Sequence, residues 1–215
     1  MQQIYLDNAA TTPVRPEVEE VMQPYFCEKY GNPSGIYKMA SECRQALETV
    51  RKQIGETLKV SAEEIYFTSG GTESDNWAIK STAQRLKEKG KHIITSKIEH
   101  HAVLNSCAYL ETQGFEVTYL DVDEWGCVRL DALQRAIRKD TILISIMYAN
   151  NEVGTIQPIG QIGKIAKEND IFFHTDAVQA YGQIPIDVKR ENIHLLSASA
   201  HKFNGPKGVG FLYID

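Results

Sequence analysis

From residue 64 onward, brief β-branched and aromatic runs alternate with longer stretches of helical periodicity. Residues 64–68 read as a strand, 69–71 as a tight turn, and 72–89 as a helix with Thr72 as its cap and Asp75 at the third position. The alternation continues through a strand at 92–96, a helix over 101–113, a strand at 115–120, a polar excursion through 131–139 and an apolar strand at 141–147. Pro158 introduces the next helix, and 171–175, 193–198 and 208–213 supply three more strands. Upstream, the pattern predicts a short strand at 4–6, an amphipathic helix over 17–28 after Pro13 and Pro16, a forced turn at Gly31-Asn32-Pro33-Ser34-Gly35, and a long helix over 36–57. Helices of about 12 residues between short apolar strands favour an α/β fold whose largely parallel sheet is buried on both faces. No low-complexity linker or internal repeat divides the chain.

Composition narrows the function classes. With 42% hydrophobic and 24% charged residues over 215 positions, the chain can bury a core and is neither a disordered tail nor a minimal disulfide scaffold. The net charge of -5 supplies no global positive field for nucleic acid. The first residues carry neither a basic leader nor a long apolar run, and no later segment approaches a membrane span, so a cytoplasmic chain without membrane contact is expected. Cys27, Cys43, Cys107 and Cys127 never form the close pair of a zinc knuckle or redox site. Cys27 and Cys107 are expected as small, partly buried side chains, with nothing marking either as a nucleophile.

Several polar clusters could carry chemistry. Ser69-Gly70-Gly71-Thr72-Glu73-Ser74 can present backbone N–H groups at a helix start, and its two glycines would admit a phosphate, unless the segment is just a tight turn. The lysine of a P-loop and the alternating glycines of a dinucleotide fingerprint are missing, which disfavours ATP and NAD. At Glu99-His100-His101 one imidazole could lie over a planar ligand at the carboxyl edge of the sheet while the other packs or caps. Asn150-Asn151-Glu152 offers amides and a carboxylate at the same edge, or simply a turn. Asp176 closes a strand, where it could cap or could pair with a protonated heterocyclic nitrogen, and Gln179 could address the same ring. Lys202 can supply an amine for a Schiff base, helped if desolvation or neighbouring positive charge lowers its proton affinity. Lys207, between Gly205-Pro206 and Gly208, reads as a turn residue.

In order and spacing these pieces resemble the N-terminal part of the pyridoxal-phosphate-dependent cysteine desulfurases of the NifS/IscS class, in the fold-type-I (class V) aminotransferase superfamily. The resemblance runs through Tyr5-Leu6-Asp7-Asn8-Ala9-Ala10-Thr11-Thr12-Pro13, Gly31-Asn32-Pro33-Ser34, the segments around Gly70-Gly71 and Glu99-His100, Asn150-Asn151-Glu152-Val153-Gly154, His174-Thr175-Asp176-Ala177-Val178-Gln179, and residues 199–208. It implies a three-layer αβα large domain with a mainly parallel mixed sheet over residues 16–215, incomplete at its C-terminal end. Residues 1–15 would pack with a small domain that is itself largely absent.

By the same resemblance, Lys202 would attach pyridoxal 5'-phosphate, Asp176 would pair with its pyridine nitrogen and His100 would stack over the ring. Asn151 and Gln179 would bind around the ring hydroxyl. Gly71, Thr72, Ser199 and His201 would help hold the phosphate, with a partner subunit of a homodimer completing the cup, and Asn32 would border the substrate entrance. The implied reaction converts L-cysteine to L-alanine and passes sulfur to an enzyme cysteine as a persulfide, for an iron–sulfur scaffold or transfer-RNA thiolation. The catalytic cysteine loop and the arginine for the substrate carboxylate are expected beyond Asp215, so the chain alone is expected to be inactive unless a second polypeptide supplies the missing half. A selenocysteine lyase, an aminotransferase and a non-catalytic cofactor-binding fragment share these residues. A zinc hydrolase using His100, His101, His174 and Asp176 would leave Lys202 unexplained, and a purely structural interaction module is the remaining alternative.

Overall fold

A computed structural model describes residues 4–215. Three helices lead the chain: α1 (Pro16–Met22), α2 (Pro24–Cys27) and α3 (Lys38–Leu58). Strands and helices then alternate as β1 (Ile65–Thr68), α4 (Gly71–Leu86), β2 (His92–Ser96), α5 (His101–Thr112), β3 (Glu116–Leu120), α6 (Leu130–Ala136), β4 (Thr141–Ser145), α7 (Ile159–Glu168) and β5 (Phe172–Asp176). The last two strands, β6 (Leu195–Ser199) and β7 (Gly210–Ile214), flank a 3₁₀ turn at Ala200–Lys202.

All seven strands form one sheet in the order β1-β7-β6-β5-β4-β2-β3. β3, β2, β4, β5 and β6 run parallel, while β7 is antiparallel to both β6 and β1. The expected α/β class with a mainly parallel mixed sheet is therefore what the chain forms. Because successive strand residues face opposite sides, Ile93 and Leu143 pack with Ile79, Val103 and Leu110 of α4 and α5. Their neighbours Ile94 and Ile144 pack with Ile162 and Ile165 of α7, Leu133 of α6 and Leu58 of α3. Two helical layers thus sandwich the sheet, and β2, β4 and β6 are buried at every residue because neither of their faces meets water.

Several sequence expectations differ from the structure. Residues 4–6 form no strand: Ile4 and Leu6 are 76% and 84% exposed, and without a neighbouring strand their backbone groups have no ladder to join. Residues 1–3 of the expected N-terminal segment lie outside the described residues. The helix expected over 17–28 breaks into α1 and α2 because Pro24 has no N–H to continue the ladder. Thr72 does not cap α4; Gly70 holds that position with φ 144°, the helix begins at Gly71, and the carboxylate of Glu73 accepts from the Ser69 N–H at 2.6 Å. The polar excursion at 131–139 contains α6. Cys27 is exposed and Cys107 is completely buried, where both were expected to be partly buried.

The parallel strands end together, so Ser96, Ser145, Asp176 and Ser199 share one edge of the sheet with the starts of α4 and α5. Hydrogen bonding persists past the end of β4, with the Ile146 N–H donating to the His174 carbonyl and the Tyr148 N–H to that of Asp176. This carries the backbone firmly to Asn150 and Asn151. Among the described residues, no helix is long and apolar enough to cross a membrane.

Candidate active site

At that carboxyl edge lies a cavity of 710 Å³ lined by Gly71, Thr72, His100, Asn151, Asp176, Gln179, Ser199, His201 and Lys202. These nine positions, scattered over 132 residues of sequence, are brought together by the parallel topology, which delivers every strand-to-helix loop to one side. Asn32 does not line the cavity; its side-chain oxygen accepts from the Ser34 N–H at 3.0 Å and stabilises its own exposed loop. Lys207, read as a turn residue, does line it.

One end of the cavity suits an anion. The first N–H groups of α4 have no acceptor within the helix, and the helix start carries a partial positive charge. Gly71 belongs there for steric reasons, since a Cβ would stand 2.6 Å from Cγ2 of Val178. The buried Ser199 lies beside Gly70 and Gly71 there, and the imidazole of His201 lines the same cavity. His201 is held by Thr11, whose Oγ1 lies 3.1 Å from its Nδ1, and desolvation together with Lys202 and Lys207 lowers its pKa.

The floor of the cavity is acidic and buried. Asp176 accepts from the Val178 N–H at 2.9 Å, and burial raises its pKa against the attraction of His100 and Lys202. Asp75 of α4 lies nearby, 1% exposed, and its Oδ1 has no hydrogen-bond partner. Burial and the charge of Asp176 push Asp75 well above the usual carboxylate range. Glu99 accepts from the Ser96 hydroxyl at 2.6 Å and, with both oxygens, from the Met147 N–H at 3.0 Å; burial raises its pKa to about 8. His174 sits between the hydroxyls of Ser145 at 2.9 Å and Ser197 at 3.0 Å, and burial lowers its pKa to about 3.

Lys202 projects from the 3₁₀ turn after β6 and is partly desolvated, which lowers its pKa although Asp176 and Asp7 oppose the shift. Its amine donates to the carbonyls of Ala9 and Ala10, the latter at 3.1 Å. Gln179 donates its amide to Ala9 at 2.9 Å, and Asn151 donates to Glu152 at 2.6 Å. The Nδ1 of His100 accepts from the Ala102 N–H at 3.2 Å as the cap of α5, so in the neutral ring the proton sits on Nε2. Asn150 is structural: it ties the loop to Ile98 at 3.0 Å and accepts from Glu152 and Val153.

Sequence reasoning missed Asp75, the buried roles of Glu99 and His174, and the strap of residues 7–12. Asp75 leaves a readable signal, because it falls in register with Ala78, Ile79, Thr82 and Ala83 on the buried stripe of α4. The set His100, His101, His174 and Asp176 does not assemble as a metal site: among the described residues, no group of three or more ligand-type side chains is placed to hold an ion.

The arrangement suits pyridoxal phosphate on three observations. An amine partly stripped of water faces the cavity, the start of α4 at Gly71, where a Cβ would collide with Val178, lies at one end, and a buried carboxyl lies on its floor. Comparison with known proteins agrees. The aminotransferase class-V family matches residues 4–215. The cysteine desulfurase IscS of Methanosarcina thermophila is 64% identical over 98% of this chain and 52% of its own length. That of Dictyoglomus turgidum is 60% identical over 99% of this chain and 54% of its own. Among solved structures, a NifS-like protein superposes with a TM-score of 0.96 at 45% identity, covering 99% of this chain and 59% of its own. SspA in complex with cysteine matches with a TM-score of 0.96 at 46% identity, covering 99% and 61%. The chain spans about half the length of the curated relatives it matches.

Proposed function

Because this chain belongs to the class-V aminotransferase family, we propose that it carries the pyridoxal-phosphate site of a cysteine desulfurase acting on L-cysteine. The observation that carries the reading is the placement of Lys202, Asp176 and the Gly71 cradle around one cavity. The names of the relatives favour desulfuration over an aminotransferase or selenocysteine lyase.

In this reading Lys202 would hold the cofactor through its amine, Gly71, Thr72, Ser199 and His201 would hold its phosphate, Asn151 and Gln179 would bind its hydroxyl, and His100 would meet its ring. When bound, the cofactor supplies an electron sink that stabilises negative charge on the substrate's α-carbon. Desolvation makes the neutral Lys202 amine easier to form, so its Nζ can give up and take back a proton. Asp176 offers a carboxylate to a protonated ring nitrogen, which would lower its own cost of burial. The proton on Nε2 of neutral His100 gives that ring a donor at the cavity.

None of the four cysteines lines the cavity. Cys107 is the least suited to accept sulfur, since burial pushes its thiol up to about 12. The acceptor thiol therefore comes from another segment or molecule. Residues 16–215 act as the cofactor-binding large domain, and the segment before them, which residues 9–15 fasten to that domain at Gln179, His201, Lys202 and Asn204, is the part nearest a smaller one. A cytoplasmic homodimer that hands sulfur to an iron–sulfur scaffold or to transfer-RNA thiolation completes the reading, and this last part rests on the resemblance alone.

L-Alanine release from L-cysteine tests the proposal. The chain alone should release none, and release should appear when the C-terminal half of a cysteine desulfurase relative is supplied. Strong release by the chain alone would overturn the acceptor argument, and release unaffected by Lys202→Ala would overturn the site.

A further inference from the structure

Asp75 has no part in the roles assigned so far, yet it is a carboxyl in the floor of the cavity with a buried, unpartnered oxygen. The Ser197 hydroxyl favours the charged form of Asp75, but a carboxylate with one oxygen left without a donor is still costly to bury ionised. The one nitrogen close to it is His174 Nε2 at 3.6 Å, beyond hydrogen-bond range and already engaged by Ser197 at 3.0 Å. The other groups facing the site add to the cost. From β5 comes Asp176, two residues along the same strand from His174, whose negative charge bears on Asp75, and from the loop after β2 comes Glu99, a second acid that adds negative charge only where it ionises. The cation Lys202, after β6, bears on Asp176 instead, with the imidazole of His100 at the start of α5 beside it. Two carboxyls that share one buried floor, with the cation on one side, divide their protons unequally.

We propose that Asp75 is held as a neutral carboxylic acid, so that Asp176 is the single anion presented to the ring nitrogen of the cofactor. Asp75 is then a positioning residue that acts through Asp176: it keeps the floor at one negative charge, which one protonated ring nitrogen can neutralise. The ring-nitrogen half of this inference rests on the pyridoxal-phosphate reading, whereas the protonation half concerns the chain by itself.

Infrared spectroscopy of the cofactor-free chain at pH 7 separates the two. We expect a deuterium-sensitive C=O stretch of a protonated carboxyl that is lost in Asp75→Asn and survives in Glu99→Gln. A spectrum unchanged in Asp75→Asn would overturn the proposal. If that variant does not fold, absence of the band from the Glu99→Gln protein would do the same. Titration with pyridoxal phosphate gives the second readout. Asp75→Asn keeps the neutral floor and should weaken binding by about threefold, against about a hundredfold for Asp176→Asn, which removes one partner of a buried pair. Equal losses would refute the division of charge. Loss of the band in Asp75→Asn, in a protein that binds no pyridoxal phosphate, would overturn the cofactor reading and leave the neutral Asp75 standing.

Discussion

The amine of Lys202 donates to the carbonyl of Ala10 at 3.1 Å, joining positions 192 residues apart. The strap that brings Ala10 there is fastened by Thr12, whose N–H and hydroxyl both donate to the His201 carbonyl, at 2.8 and 2.9 Å. The same hydroxyl accepts from the Asn204 N–H at 2.8 Å. The turn at residues 8–10 and the candidate reactive lysine are thus one structural unit.

Thr12→Val tests that unit. The substitution keeps the shape of a buried side chain and removes its hydroxyl, leaving the Asn204 N–H without its partner. Loss of about 1–3 kcal/mol is expected, read as a lower urea midpoint with an unchanged slope. A midpoint equal to that of the parent chain would show that the strap contributes nothing to stability.

The cradle makes a paired prediction. In Gly71→Ala the new methyl meets Val178, so the start of α4 must shift, and a cost of about 1–3 kcal/mol is expected from overpacking. Val178→Ala removes the obstructing Cγ2 and should restore most of the lost thermal stability in the double variant. If the double variant is as unstable as the sum of the two singles, steric contact with Val178 is not why glycine stands there.

Buried Glu99 and His174 predict a stability profile. Glu99 has a raised pKa in the folded chain, so the folded state holds more protons than the unfolded one, and stability falls as pH rises from the ordinary carboxylate range through about 8. His174 has a lowered pKa, so its contribution is present above the ordinary histidine value and is lost as pH falls towards about 3. The two slopes oppose one another in mildly acidic solution, where His92, His194 and His201, also lowered by burial, add to the histidine side; above about pH 7 the histidines are largely neutral in both states and the raised carboxyls dominate. Urea midpoints should therefore decline between about pH 7 and 8, less steeply in Glu99→Gln. A midpoint that rises over this interval would contradict a protonated Glu99.

The sheet was legible because stretches such as 141–147 and 193–198 are dominated by apolar residues, the mark of burial on both faces. The strand expected at 4–6 shows the limit of that rule, since alternating apolar residues form no strand where nothing pairs with them. The position of Lys202, Asp176 and His100 at one edge was readable because each closes or follows a strand and the topology sends those strand ends to one side. The buried polarity was harder to read. Asp75 and His174 look like ordinary polar residues until their neighbours across α4, β4 and β6 are known, and the grip of Ala10 on Lys202 depends on contacts that no local pattern encodes.

The attachment of the cofactor through Lys202 is tested most directly by incubating the chain with pyridoxal phosphate, reducing with borohydride and mapping the modified peptide by mass spectrometry. The account predicts one dominant phosphopyridoxyl adduct, on Lys202, abolished in Lys202→Ala. An adduct spread over exposed lysines, or one centred on Lys207, would contradict it.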